Sequence, residues 1–161
     1  MRRHDGLISL THDHHHGLAQ ARRLRIAANG SDEERLRASE TFIDFFRTEA
    51  LAHFREEEEV VFPLAVDRPG AEAFLERVMI EHLRIHAIVA RLEHELQSGK
   101  VSQETATDAA AALRSHIRFE ETEVFPMIER VVPEDELEIL AVRLGEGSER
   151  PDRRARTHAP E

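Results

Sequence analysis

The sequence predicts an all-α fold, an up-down-up-down four-helix bundle followed by a short capping helix and a disordered C-terminal tail. Apolar residues recur at three- and four-residue spacing in four long segments, which is the period of an amphipathic helix. Short stretches with helix stop and start residues separate the segments. Connections this short make successive helices antiparallel neighbours. The 161 residues are the size of one domain.

The first two helices have clear boundaries. The first spans residues 7–28 and stops at Asn29-Gly30, a pair that commonly ends a helix. Ser31 and Glu34 stand at the spacing of a capping box, which predicts the start of the second helix. That helix continues to about residue 62, before Pro63, because proline cannot extend the hydrogen-bond pattern of a helix interior.

The third and fourth helices are bounded in the same way. Asp67 and Pro69 introduce the third helix, which ends near residues 98–99. Ser102 is a candidate N-cap for the fourth helix, which runs towards Pro126.

A shorter amphipathic stretch over residues 134–144, stopped by Gly145, is predicted to cap one end of the bundle. Residues 146–161 carry Gly, Ser, Pro and alternating charge without apolar spacing, which predicts a disordered tail. We therefore expect a bundle domain over residues 1–145 and a tail beyond it.

The composition excludes several classes of function. The chain has no cysteine, so disulfides, iron–sulfur clusters, thiolate zinc sites and cysteine nucleophiles are all excluded. A formal charge of −10 argues against a general affinity for nucleic acid or anionic membranes. No apolar run approaches the ~20 residues that span a bilayer. We expect a soluble, cytoplasmic protein whose metal ligands, if any, are nitrogen and oxygen.

The most specific feature of the sequence is an internal repeat. Residues 53–63, His-Phe-Arg-Glu-Glu-Glu-Glu-Val-Val-Phe-Pro, match residues 116–126, His-Ile-Arg-Phe-Glu-Glu-Thr-Glu-Val-Phe-Pro. The first and third helices match less closely, through Asp13-His14 and Glu81-His82, each followed by apolar residues at helical spacing. The repeat indicates that one helical hairpin was used twice.

The spacing within the repeat selects which acidic residue faces inward. Side chains four apart on a helix diverge by about 40°, but those five apart diverge by about 140°. His53 therefore shares a face with Glu57 and not with Glu58, and His116 shares a face with Glu120. Both pairs continue the apolar face of their helix.

The third helix is predicted to bury a stripe that includes two histidines. The stripe consists of Leu75, Met79, His82, His86, Val89, Leu92 and Leu96. A bundle would bring the inward histidines and carboxylates of all four helices into one interior cluster. Burying such a set without a cation costs several kcal/mol per charge, so we interpret it as a metal site.

The remaining histidines are treated differently. His4, His94 and His158 are expected on the surface or in the tail, whereas His12, His15 and His16 could contact the ligands, face solvent or take the place of His14.

Imidazole with carboxylate suits iron, manganese or zinc, and bridging carboxylates suit a two-ion centre. His-Glu-x-x-His, the zincin motif, and Glu-x-x-His, which ferritin-like bundles need, are both absent.

These residues resemble the hemerythrin or HHE cation-binding family, over about residues 7–130. The duplicated His-x-x-x-Glu-Glu followed by Phe-Pro carries the resemblance. It implies a non-haem, oxo- or hydroxo-bridged di-iron centre with His82, His86 and His116 on one iron, His14 and His53 on the other, and Glu57 and Glu120 bridging both. Oxygen-carrying members place an aspartate five residues after the last histidine, where this chain has Glu120 after four. The chain also lacks the cysteine-bearing N-terminal segment of members that repair iron centres.

The resemblance leaves three functions open. The first is reversible binding or sensing of dioxygen or nitric oxide, with azide as an anionic analogue. The second is an enzyme that reduces nitric oxide, decomposes peroxide or oxidises iron. The third is an iron-responsive stability switch. The unequal set of histidines predicts the exchangeable position on the His14 and His53 iron, where Gly17 either leaves room for the ligand or lets two helix backbones approach.

Overall fold

A computed structural model describes residues 3–146, and for residue 146 it describes the backbone alone. Within this range the chain is helical, without strands, and its α-helices are α1 (Asp5–Ala28), α2 (Asp32–Phe45), α3 (Leu51–Glu56), α4 (Glu72–Gln97), α5 (Gln103–Phe119), α6 (Phe125–Val131) and α7 (Glu134–Glu146). A wider π turn at Phe46–Ala50 joins α2 to α3 in one continuous rod. A second π turn, Glu57–Val61, follows α3, and the rod closes with a 3-10 turn at Phe62–Leu64. A third π turn, Glu120–Val124, joins α5 to α6. The all-α prediction is confirmed.

Two of the predicted helix starts are confirmed atom by atom. The backbone N–H of Glu34 donates to Ser31 Oγ at 3.2 Å, and Ser31 N–H donates back to the Glu34 carboxylate at 2.7 Å, which completes the capping box. Ser102 Oγ accepts from the N–H of Thr105 at 3.1 Å. His4, which was expected on the surface, is partly exposed and is the N-cap of α1, where it accepts from Gly6 N–H at 3.0 Å.

The chain forms four long rods, which in order are α1, α2 with α3, α4, and α5 with α6. These rods pack around a shared interior. Helix α1 lies against α5, α2 and α7, and α4 lies against α5 and α2. The alternation in direction of successive helices stays a prediction. Helix α7 crosses α1 closely at Gly6, where an added Cβ would lie 2.6 Å from the Leu137 carbonyl oxygen. Glycine at this position therefore lets the capping helix dock.

The apolar core is divided into two clusters along the bundle. On the second rod, the first cluster reaches Phe54 and the second begins at Val61; on the fourth, the first reaches Ile117 and the second begins at Phe119. Buried polar side chains, among them His53, Glu57, His116 and Glu120, lie where the two clusters meet. This region is where the sequence predicts the metal site.

A proline follows two of the three π turns, Glu57–Val61 and Glu120–Val124. The N–H of Phe62 bonds to the Glu57 carbonyl and the N–H of Phe125 bonds to the Glu120 carbonyl, five residues back in each case. Pro63 comes next in one rod, and a proline occupies the matching position in the other. Because proline has no N–H and clashes with the preceding turn, it favours a local departure from α geometry.

The C-terminal predictions are only partly within the described range. Helix α7 ends at Glu146, so it passes through Gly145, where the sequence predicted a stop. The predicted tail from residue 147 onwards lies outside the described residues, and the domain boundary at 145 stays a prediction. Within the described range, none of the helices combines the length and apolarity needed to cross a bilayer.

Candidate metal centre

Six buried side chains from the four rods meet between the two core clusters. They form two groups that share both glutamates, and in each group the possible ligand atoms lie within 4.8 Å of one another. The first half-site is His14, His53, Glu57 and Glu120; the second half-site is His82, His116, Glu57 and Glu120. Both glutamates are fully buried, and none of these histidines is more than 5 % exposed. Glu57 and Glu120 are inward, as the helix-face argument predicted.

The first half-site has the spacing of ligands around one ion. His14 Nε2 and His53 Nε2 are 2.9 Å apart, and His53 Nε2 lies 3.1 Å from Glu57 Oε1. His14 Nε2 is also 3.1 Å from Glu120 Oε2. Two ligands bound at right angles and about 2.1 Å from one ion would lie about 3 Å apart. The observed separations fit that arrangement.

The second half-site repeats the first. His116 Nε2 lies 3.2 Å from Glu120 Oε2, and His82 Nε2 lies 3.6 Å from Glu57 Oε2. Both histidine pairs have ring centroids 4.7 Å apart and cross at 66° and 71°. Glu57 presents Oε1 to the first half-site and Oε2 to the second, which is the orientation of a bridging carboxylate.

Each of the four histidines also contacts a carboxylate outside the cluster, through Nδ1. The pairs are His14 with Glu121 at 2.7 Å, His53 with Asp13 at 3.3 Å, His82 with Glu58 at 2.6 Å and His116 with Glu81 at 3.2 Å. These outer carboxylates orient each ring so that Nε2 faces the cluster, an arrangement typical of metal-bound histidine. Sequence analysis missed them, although each one adjoins an inner ligand in the chain.

Arginines hold two of the outer carboxylates in turn. Arg3 donates to the Glu121 side chain at 2.9 Å and to its carbonyl at 2.8 Å, and it lies 5.2 Å from the centre of the Phe125 ring. Phe125 stacks on His14 with ring centroids 5.3 Å apart. On the other side, Arg77 donates to Glu81 at 2.9 Å.

The structure does not bring His86 into either half-site. His86 and Met79 are both exposed, so the prediction that they lie on the buried stripe of α4 is wrong. The stripe instead runs through Leu75, Val78, His82, Ile85, Val89 and Leu92. The ring of His86 meets Phe54 at 6.1 Å, and Phe54 itself stacks on His82 at 3.9 Å. Phe54 is therefore a neighbour of both rings, but only His82 belongs to the cluster.

The other histidines of the first helix separate clearly from His14. His12 and His15 are exposed. His16 is partly buried and contacts Glu49 Oε2 through Nδ1 at 2.6 Å. Only His14 of this run contributes to the cluster, as the repeat alignment indicated.

The electrostatics of the cluster favour positive charge. Burial alone would lower the pKa of His53, but the charge of Glu57 and the contact with Asp13 raise it to about 10. Burial would likewise lower the pKa of His82, but the carboxylates of Glu120 and Glu57 raise it to about 10. Burial raises the pKa of Glu57, yet the neighbouring imidazoles hold it well below its usual range. Two ionised carboxylates in a dry interior attract a compensating cation.

Unpaired polar atoms point to the same conclusion. Among the described residues, both oxygens of Glu57 and of Glu120 and the Nε2 atoms of His82 and His116 are buried without a hydrogen-bond partner. Buried polar groups are normally satisfied, so such a concentration at one place needs an explanation. A bound metal cation explains it, because every one of these atoms is a possible metal ligand.

A small cavity of about 20 Å³ adjoins the first half-site. Its lining residues are Asp13, His14, Gly17, Phe45, Glu49, Ala50, His53, Phe54, Leu113, His116 and Ile117. A Cβ at Gly17 would lie 2.8 Å from Ile117 Cδ1, so its nearest neighbour is a side chain rather than a helix backbone. The position that matches Gly17 in the second half is Ile85, whose side chain is buried.

A helical bundle with two carboxylate-bridged groups of imidazoles is a metal-binding protein of the histidine and carboxylate class. The model of the hemerythrin HHE cation-binding domain matches residues 5–128 of this chain. The chain therefore belongs to the hemerythrin HHE cation-binding family. No curated protein and no solved structure gives a significant match.

Proposed function

We propose that the protein holds two iron ions in the cluster and reversibly binds or senses dioxygen or nitric oxide there. The observation that carries the proposal is the cavity beside His14 and His53. A cavity of this size admits about one water molecule, which is close to the size of a diatomic gas. Most of its lining is apolar, as suits a neutral ligand.

Each residue of the cluster has a definite task in this proposal. His14 and His53 hold one iron and His82 and His116 hold the other, while Glu57 and Glu120 bridge them. The bound iron pair supplies exchangeable coordination positions and one-electron redox chemistry. The outer carboxylates fix the imidazole rings, and the two apolar clusters exclude water from both sides of the site.

The exchangeable position belongs to the first half-site, for a different reason from the one predicted. The prediction required His86 as a third imidazole on the second iron, and His86 is exposed. The two half-sites have equal inner ligands, so the ligand set does not distinguish them. The cavity does, because its lining includes both imidazoles of the first half-site but only His116 of the second. In the second half, the larger Ile85 takes the place of Gly17.

The test is metal analysis and optical titration of the full chain loaded with iron without oxygen. We expect two iron ions per chain, and a spectrum that changes on addition of dioxygen or nitric oxide and returns when the gas is removed. Steady consumption of nitric oxide or peroxide would instead establish an enzyme. Stable loading with another metal and no response to either gas would contradict the proposal.

A further inference from the structure

The cavity beside the first half-site has two acidic residues in its lining, and both are partly exposed to solvent. Of its eleven lining residues, Asp13 and Glu49 are partly exposed and the other nine are buried. The side chain of Glu49 is 42 % exposed and that of Asp13 is 24 % exposed. We call these two residues the mouth of the cavity. A ligand that enters from water passes two carboxylates before it meets the apolar interior.

The Glu49 carboxylate is held in position by contacts with helix α1. His16 Nδ1 contacts Glu49 Oε2 at 2.6 Å, and the side-chain amide nitrogen of Gln20 contacts His16 Nε2 at 3.2 Å. The His16 ring is thus held at both nitrogens, and it fixes the position of the Glu49 carboxylate at the mouth.

The backbone brings Glu49 to this place by a feature that the repeat does not share. Glu49 and Ala50 belong to the π turn Phe46–Ala50, whereas the matching stretch of the fourth rod lies inside the regular helix α5. π turns re-aim side chains and are frequent at functional sites. The charged mouth and the cavity therefore occur together, on the half of the bundle that has Gly17.

We propose that Asp13 and Glu49 make the first half-site selective for neutral diatomic ligands over anions. This inference rests on the proposed function and adds the class of ligand that the site admits. A negative potential at the mouth of a cavity lowers the local concentration of anions, and so their association rate. It leaves uncharged dioxygen and nitric oxide unaffected.

The test compares association rates of azide and nitric oxide in the iron-loaded full chain by stopped-flow absorbance. Glu49→Gln removes the charge and keeps an oxygen that can accept from His16. Glu138→Gln, at an exposed position of α7, makes the same change in net charge away from the mouth. Iron content is measured in each variant first.

We expect Glu49→Gln to raise the azide rate about three- to tenfold at low ionic strength, and Glu49→Lys to raise it further. The gain should shrink in about 1 M salt, where charges are screened within a few ångströms. The nitric oxide rate should stay unchanged in both variants, and Glu138→Gln should behave as wild type.

An azide rate that does not respond to Glu49→Gln would overturn the proposal, as would an equal rise for both ligands, which would show a steric barrier. A response of the same size in Glu138→Gln would show an effect of net charge alone. Failure of wild-type protein to bind either ligand would instead overturn the proposed function.

Discussion

The two half-sites have the same inner ligands but different surroundings. Each has two imidazoles and shares two glutamates, and the two histidine pairs have the same ring separation and similar ring angles. The first borders a cavity at Gly17 and a π turn carrying Glu49, whereas the second has Ile85 and a regular helix. The repeat therefore accounts for metal binding in both halves, while access for a ligand depends on residues outside the repeated motif.

The shared glutamates should be the most sensitive positions, because each serves both halves. We expect Glu57→Gln to weaken binding of both ions by more than about 100-fold, a larger loss than removal of an outer partner causes. Isothermal titration with metal and elemental analysis would measure it. Glu59→Gln, at an exposed position, is the matched control. Retention of two tightly bound ions in Glu57→Gln would refute the bridging role.

Removing one histidine should separate the halves. His53→Ala and His116→Ala should each reduce metal content from two ions to about one, and lower the melting temperature of the metal-loaded protein by about 10 °C. Elemental analysis and calorimetry would test both together. Loss of both ions from either variant would show that the half-sites fill cooperatively rather than independently.

The outer carboxylates should matter less than the ligands they orient. Glu121→Gln and Glu58→Gln should each weaken metal binding about 10- to 100-fold. Glu121 also accepts from Thr11 and Arg3, so its substitution should in addition lower the free energy of unfolding by about 1 kcal/mol. Chemical denaturation of metal-free protein would detect that difference. Equal stability of the two variants would show that the contact with Arg3 is energetically silent.

Filling the cavity should slow ligands without removing metal. Gly17→Leu should reduce the rates of azide and nitric oxide binding at full iron content. Gly17→Ala should change stability little, because the clash with Ile117 Cδ1 is with the end of a flexible side chain and the helix gains roughly 0.5–1 kcal/mol. Stopped-flow kinetics and thermal melts would measure both. Unchanged rates in a folded, iron-loaded Gly17→Leu variant would rule out the cavity as the ligand's position.

The smallest effect is expected at the fifth histidine. His86→Ala should leave metal content and ligand binding unchanged, because His86 is exposed and belongs to neither half-site. His82→Ala is the matched comparison and should lose an ion. Elemental analysis of the two variants decides the point, and loss of iron from His86→Ala would restore His86 as a ligand.

Sequence reasoning predicted the helices and the inner glutamates because both follow from regular helix geometry. The four-residue spacing placed Glu57 and Glu120 inward, and both are fully buried. The same spacing gave a wrong prediction at His86. Val78 lies four residues before His82 and His86 lies four residues after it, so both satisfy the spacing equally. The helix buries Val78 and Ile85, and only packing against its neighbours decides between these alternatives.

Other features depend on contacts that spacing cannot reveal. The helix-face argument selected Glu57 and Glu120 over their neighbours Glu58 and Glu121, yet Glu58 and Glu121 reach imidazoles of neighbouring rods. Their place directly after the inner glutamates was a signal for this role. The π turns were missed because the periodicity argument assumes 3.6 residues per turn throughout. Gly17 was noticed as unusual, but the cavity beside it needs side chains from three rods.

The contacts of Arg3 have a practical consequence for handling the protein. Its guanidinium contacts both Glu121 and Glu129, and Glu121 in turn contacts His14. An affinity tag fused in front of Arg3, or trimming of the first few residues by a protease, would disturb the orientation of a metal ligand from outside the bundle. Purification through a C-terminal tag avoids this disturbance and is the better choice for metal titrations.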